Sequence, residues 1–244
     1  GFAFPAVIFQ DGAHLGANDY EICLFDARHS SARLYPERTL AIRTIAAQAD
    51  LDGIEARDPA FGLPGFWIEA EGKDAAQDRG YTLIDPITVL MTHLGEVLRS
   101  QAPQLLSRNE VVNLLEGVRT RQPGLIEELI PAVMTVSDIQ RVLQSLVSED
   151  VSIRNIDQIA DALVDIGRTV KDPAELTERV RQHICHGICA GLRGTHEQLS
   201  VLSLNPRIEA QISDTIKRSD GKAFLPIDPK LAARKIGVSI AGQA

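Results

Sequence analysis

Few features of this chain announce chemistry, and the gaps are informative. Cysteine is scarce, with three in 244 residues (Cys23, Cys185 and Cys189); that is too few for a disulfide framework and suits a reducing compartment. No G-x-x-x-x-G-K-[ST] run occurs, which excludes a P-loop nucleoside triphosphatase at the level of sequence. No apolar run approaches the roughly 18–20 residues needed to cross a bilayer. No basic run stands out and the formal net charge is −8, which argues against nucleic acid or an anionic membrane surface as the primary partner. The chain opens Gly-Phe-Ala-Phe-Pro, with neither a Met nor a signal peptide. A piece of a longer protein is therefore expected. Internal repeats and low-complexity tracts are also missing.

What is there is an ordinary globular composition, 44% hydrophobic and 24% charged, enough for one large or several small cores. The stretch that organises the rest is 58–106. It opens with D-P-A-F-G-L-P-G-F-W-I-E at 58–69, passes a polar, helix-prone piece at 73–79 and an apolar run at 81–84, and reaches Asp85-Pro86. Asp85 can cap free N–H groups and Pro86 brings a preset φ where no N–H is needed, so a helix starts here and runs to 101. Ile87, Leu90, Met91, Leu94, Val97 and Leu98 recur at helical spacing as the expected buried stripe, with His93 and Arg99 off it. The order is strand, helix, strand, helix, with an aromatic turn in front.

Upstream, 6–9, 20–25, 32–35 and 39–42 read as strands of one mostly antiparallel sheet. Polar turns fall at 11–19 and 26–31, a boundary at Pro36, and a loop at 46–57. Downstream the chain turns helical. Pro103 is a breaker, and Ser107 with Glu110 forms a capping box for a helix to about 119. A short helix at 125–130 is closed by Pro131. Thr135 and Asp138 open a helix with Ile139, Val142, Leu143, Leu146 and Val147 on one face. Another helix covers 155–164, and Asp172-Pro173-Ala174-Glu175 launches one towards 192. A strand at 199–204, a helix from Asn205-Pro206 to about 218, a loop at 221–227 and a last helix from Asp228-Pro229 complete the reading. The fold class is α/β in the broad α+β sense, with several subdomains.

Three places invite a chemical reading. Cys185, His186 and Cys189 offer three soft ligands, short of a closed tetrahedral zinc site, in the reverse of haem-attachment order. They define a rival reading, a thiol- or metal-dependent enzyme. In the plainer reading Val180, Ile184 and Ile188 face the core and the cysteines fill small gaps beside them. Gly237-Val238-Ser239-Ile240-Ala241-Gly242 is one residue too long for a nucleophile elbow, and no strand leads into it. The histidines, His14, His29, His93, His183, His186 and His196, are not placed by spacing against a nucleophile and a carboxylate. Catalytic residues are therefore not assigned. The third place is Phe61. An aromatic in a Gly/Pro turn is a frequent anchor for peptide and helix partners. Packing inside a small lobe with Phe66 and Trp67 is the simpler alternative from pattern alone.

Several of these tracts carry a resemblance. The motif at 58–69 is followed by G-Y-T-L-I-D-P-I-T-V-L-M-T-H-L-G-E-V-L-R at 80–99 and Q-L-L-S-R-N-E-V-V-N-L-L-E at 104–116. L-I-E-E-L-I-P stands at 125–131, V-L-Q-S-L-V-S-E-D-V-S-I-R-N at 142–155 and D-P-A-E-L-T-E-R-V-R at 172–181. Together they resemble the cytoplasmic domain of the type III secretion export gate, a family with flagellar and injectisome members. The resemblance covers roughly residues 1–215, in order and at near-constant spacing.

The resemblance implies four lobes: 1–35 plus 86–105; an inserted 36–85; an all-helical 106–185; and an α/β lobe from 186 to 244 that looks truncated. The family's transmembrane half has no counterpart in the sequence. The implied role is a receptor that docks secretion chaperone–effector complexes and gatekeeper proteins, works with other export-apparatus components, and has no catalytic centre, cofactor or metal. Its place would be the cytoplasmic face of the bacterial inner membrane. In flagellar relatives chaperones dock in a cleft between the first two lobes, and the motif positions for that cleft fall on Asp58, Phe61 and Thr92, with Leu63 as a neighbour. The family also forms rings of nine, largely through the third lobe; Glu149, Asp150 and Arg154 are polar candidates near a turn there, a solvated face being the plainer reading. Loops near Pro36 and Pro103 are the hinge candidates. G-L-P-G-F-W and L-S-L-N-P-R-I-E lean towards injectisome-type members.

Overall fold

Residues 19–33 fold back as an antiparallel hairpin, β1 (Asp19–Leu24) and β2 (Ala27–Arg33). Phe25 and Asp26 make its two-residue turn with φ of 52° and 62°, the left-handed pair whose twist suits a tight hairpin. The stretch expected as a polar turn, 26–31, is therefore mostly β2. Its polarity reflects a solvent-facing ribbon, with no β2 residue fully buried. The expected strand at 6–9 does not form, and Val7, Ile8 and Phe9 are exposed.

A separate sheet holds β3 (Thr39–Ile42), β4 (Ile54–Arg57), β5 (Pro64–Ile68) and β6 (Thr82–Ile84), all antiparallel in the order β4-β5-β3-β6. The single sheet expected across 6–42 is thus two sheets. Strand β4 lies inside the expected loop at 46–57; its charged Glu55 and Arg57 belong to an exposed edge strand, which lacks the apolar alternation of a half-buried one. All of β3 is buried. Its period-2 alternation splits the core: Leu40 and Ile42 pack with Trp67 and Val89 on one face, and Ala41 packs with Ile68, Ala76 and Tyr81 on the other. The second face is covered by α1 (Lys73–Asp78), which follows a single 3-10 turn at Ala70–Gly72. The first is covered by α2 (Pro86–Ser100), through Val89. Gly65 of β5 lies against the neighbouring backbone: a Cβ there would stand 2.5 Å from the Ala41 carbonyl oxygen.

The computed structural model describes residues 6–45, 47, 50–195, 198–199, 201, 203, 205–219, 222–224 and 226. The chain divides into two units, residues 1–120 with 136–154 and residues 121–135 with 155–244, and the expected helical stretch 106–185 contributes to both. The first unit adds α3 (Ala102–Leu105), most of α4 (Arg108–Arg121) and α6 (Val136–Ser148) to the two sheets. Helix α6 buries Ile139, Val142, Leu143 and Leu146 as its spacing predicts. The side-chain amides of Gln140 and Gln144 both donate to the Leu106 carbonyl, at 3.1 and 3.2 Å, satisfying a buried acceptor at the end of α3.

The second unit contains α5 (Pro123–Leu129), α7 (Ile156–Gly167), α8 (Pro173–His183), α9 (Cys185–Arg193) and α10 (Pro206–Thr215). Asn155, Asp172 and Asn205 cap α7, α8 and α10 with their side-chain oxygens. Arg121 forks onto Asp157 at 3.2 and 2.7 Å. The Lys171 ammonium donates to the Gly167 and Val133 carbonyls at 2.5 and 3.2 Å. The helix expected from 172 towards 192 is broken at buried Ile184 (φ −93°, ψ 9°), and Gly187 and Gly191 weaken helix propensity beyond it. Helix α10 ends at Thr215, short of the expected 218. Strand β7 (Lys217–Ser219) pairs antiparallel with β8 (Lys222–Phe224), which falls within the expected loop at 221–227; three-residue strands are too short for a periodic signal. The expected strand at 199–204 is only partly covered by the described residues. The last helix from Asp228 and the Gly237–Gly242 motif lie outside them.

Candidate functional site

Between β4 and β5 the chain makes a tight turn at 58–63, and Asp58 organises it. The Asp58 N–H donates to the Leu63 carbonyl and the Gly62 N–H to the Asp58 carbonyl, both at 2.8 Å. The Phe61 N–H donates to Asp58 Oδ2 at 2.7 Å, and Arg57 closes the outside by donating to the Gly62 carbonyl at 3.0 Å. Gly62 has φ of 68°, a conformation that glycine adopts without steric cost. Asp58 itself is only 3% exposed, whereas Phe61 is 61% exposed and Leu63 43%. Phe66 and Trp67, the other aromatics of the motif, turn inward: Trp67 is buried and Phe66 half-buried. Of the three aromatics, only Phe61 is presented to solvent.

Thr92 is exposed on α2. Among the described residues no hydrogen bond joins it to Asp58 or Phe61. The helix begins as its sequence requires: Asp85 accepts from the Thr88 hydroxyl at 2.5 Å and from the Thr88 N–H at 3.0 Å, and these bonds, the hydroxyl's first, hold its carboxyl below the usual carboxylate range. The buried line of α2 differs from the expected stripe. It runs through Val89, His93 and Val97, while Ile87 and Met91 are exposed. The spacing i, i+4, i+8 is present in the sequence, but hydropathy assigns a histidine to solvent.

His93 is only 2% exposed. Its Nδ1 lies 2.6 Å from the Tyr20 hydroxyl of β1, and its Nε2 lies 2.7 Å from the Ser30 hydroxyl of β2. The Tyr20 ring meets it edge-on at 5.6 Å between centroids. Burial holds His93 below the ordinary histidine range, with the Asp58 charge pulling the other way. Burial, then the Asp58 charge, pushes Tyr20 up to about 12. Sequence reading missed this cluster, which is centred on the residue next to Thr92.

The cysteine cluster departs from the plainer expectation only in the cysteines themselves. Val180 and Ile184 are buried and Ile188 half-buried, but Cys185 and Cys189 are exposed on α9 and fill no gap. Their neighbour His186 is exposed as well. Among the described residues no group of three or more His, Cys, Asp and Glu side chains is arranged to hold a metal ion, and no helix is long and apolar enough to cross a membrane.

The FHIPEP family model matches residues 1–241. The flagellar biosynthesis protein FlhA of Bacillus subtilis is 33% identical over 232 residues, covering 95% of this chain and 34% of its own length. FlhA of Salmonella typhimurium is 33% identical over 234 residues, covering 96% and 33%. The chain thus spans about a third of the length of these curated relatives. Among solved structures, the Chlamydia pneumoniae CdsV protein aligns over 100% of this chain and 71% of its own, with a TM-score of 0.81 at 24% identity. Nonameric EPEC SctV-C aligns over 93% of this chain and 69% of its own, with a TM-score of 0.70 at 20% identity. The mixed α/β fold with small sheets is the one those structures share. On the family match and the identity to FlhA, the chain belongs to the FHIPEP family.

Proposed function

We propose that this chain is the cytoplasmic receptor part of a type III export gate, and that it receives chaperone–substrate complexes on the surface carrying Phe61. The observation that carries the reading is Phe61 itself: an apolar side chain exposed on a turn whose backbone is fixed by four hydrogen bonds. A pre-ordered aromatic anchor loses little entropy on binding. Exposed Leu63 widens the apolar surface and Thr92 supplies a polar contact. Asp58 acts from beneath by holding the turn. Gatekeeper proteins are further partners in this proposal, and the four lobes with their hinges near Pro36 and Pro103 belong to it. So does the cytoplasmic face of the inner membrane as its place. The role needs no catalytic centre, cofactor or nucleic acid.

Ring assembly is part of the same proposal, supported by nonameric SctV-C and by the nonameric EscV cytosolic domain as relatives of this fold. In the first unit, Asp150 and Arg154 line a cavity of about 360 Å³ with Gly95, Leu98, Ala102 and Val151. Glu149, Asp150 and Arg154 remain the polar candidates for a neighbour-facing surface. An export-apparatus partner is suggested by the solved complex of CdsV with CdsO.

Injectisome membership is favoured by G-L-P-G-F-W and L-S-L-N-P-R-I-E; flagellar membership is the second reading, favoured by the FlhA identities. A photo-crosslinking amino acid at position 61 of the full-length protein, in its own host, tests the receptor reading. Crosslinks identified by mass spectrometry as secretion chaperones support it, and their identity as injectisome or flagellar chaperones decides between the two readings. Crosslinks confined to the protein's own chain contradict it.

A further inference from the structure

We infer that His93 is a proton-sensitive latch: its neutral imidazole fastens the β1–β2 hairpin to α2, and protonation releases the hairpin while the β3–β6 sheet stays folded. The inference does not depend on the receptor reading. In the hairpin register Tyr20 stands opposite Ala32 and Ile22 opposite Ser30, so these four side chains share one face of the ribbon. That face is the covered one. Ile22 is buried and Tyr20, Ser30 and Ala32 are half-buried, while Arg28, His29, Ser31 and Arg33 are exposed. Ile22 is also the hairpin's one buried apolar residue, and a two-stranded ribbon has little stability of its own. Among the described residues, the two side-chain hydrogen bonds that join the hairpin to α2 both end on His93. One comes from each strand, Tyr20 to Nδ1 at 2.6 Å and Ser30 to Nε2 at 2.7 Å.

A neutral imidazole has one donor and one acceptor nitrogen. Phenol is the stronger acid of the two hydroxyls, so Tyr20 donates to Nδ1 and the Nε2–H donates to Ser30. Protonation makes Nδ1 a second donor and leaves the Tyr20 proton without its acceptor. It also places a charge on a ring that is almost wholly out of water, and burial penalises the charged form. Lifting the hairpin off returns that ring to water, at the loss of little more than the burial of Ile22. The charged and titratable groups around the ring are few. Tyr20 comes from β1, β2 offers only the uncharged Ser30, and Glu96 stands one turn on along α2, 3.9 Å from Arg99. The Asp58 charge, from the β4–β5 turn, favours the imidazolium and opposes the effect of burial. The ribbon's own ions pair with one another or with His14: Asp19 with Arg33, and Glu21 with Arg28 and His14.

The test is nuclear magnetic resonance of the whole chain with a soluble gadolinium chelate, from about pH 7.5 downward. The signals followed are the His93 ring and the methyl groups of Ile22 and Leu40, whose broadening by the chelate reports exposure. The expected result is that Ile22 loses its shielding with the same midpoint as the His93 ring, while Leu40, in the buried strand β3, stays shielded. His93→Gln keeps a donor and an acceptor but does not titrate, so Ile22 should stay shielded over the whole range. Tyr20→Phe removes the donor that favours the neutral ring, so both midpoints should move up together, by about one pH unit or less. Four results overturn the inference: Ile22 still shielded once His93 is protonated, Ile22 exposure that persists in His93→Gln or follows the His14 or His29 ring instead, midpoints that separate in Tyr20→Phe, or Leu40 exposed together with Ile22. In the last case His93 would be a group of the whole fold and not of the hairpin.

Discussion

The Asp58 carboxylate accepts the Phe61 N–H and lies almost wholly out of solvent, so its contribution to a partner is indirect. Asp58→Ala leaves the Phe61 N–H without that acceptor, at a cost of about 1–3 kcal/mol in denaturant unfolding followed at Trp67. Phe61→Ala removes a side chain that is mostly in water, so the same measurement should move by less than about 0.5 kcal/mol. An equally large loss at both positions would restore the packing reading of Phe61. The titrations have opposite signs. His93 is held below its ordinary value, so its contribution to stability is whole above about pH 6.5 and is lost as pH falls from there through the folded value. Tyr20 is held above its ordinary value, at about 12, so its contribution is whole below about pH 10 and is lost as pH rises through 12. Stability measured against pH should fall on both sides of that range. Stability that stays flat between pH 6.5 and 5 would contradict the buried neutral His93.

At the level of elements, the steps with a local mechanism were legible in the sequence. Asp85-Pro86 starts α2, Ser107 caps α4 at 3.3 Å to the Glu110 N–H, and α6 buries the face its spacing indicates. What was not legible was set by tertiary context. Strand β2 is polar because it faces water, β4 is a charged edge strand, and the buried line of α2 runs through a histidine whose hydroxyl partners lie more than sixty residues away. Of the site, Phe61 stood out by its turn chemistry, but the Tyr20–His93–Ser30 cluster had no local signal. The sheet makes a sharp prediction. Gly65 pairs with Ile42 and Ala56 in the middle of three strands, and a Cβ there would press on the Ala41 carbonyl. Gly65→Ala should cost about 1–3 kcal/mol in denaturant unfolding; an unchanged midpoint would mean that β3 and β5 can separate without loss.

For the molecule as a whole, the receptor reading turns on recognition, and the exposed anchor on a fixed turn is where that reading is most directly tested. The most direct measurement is calorimetric binding of this chain to a cognate secretion chaperone, loaded and empty, with Phe61→Ala alongside. The receptor account predicts binding that weakens by tenfold or more in a variant that keeps its native unfolding midpoint, a loss of at least about 1.4 kcal/mol. Chaperone binding that ignores the substitution would contradict it, and would move the docking surface away from Phe61.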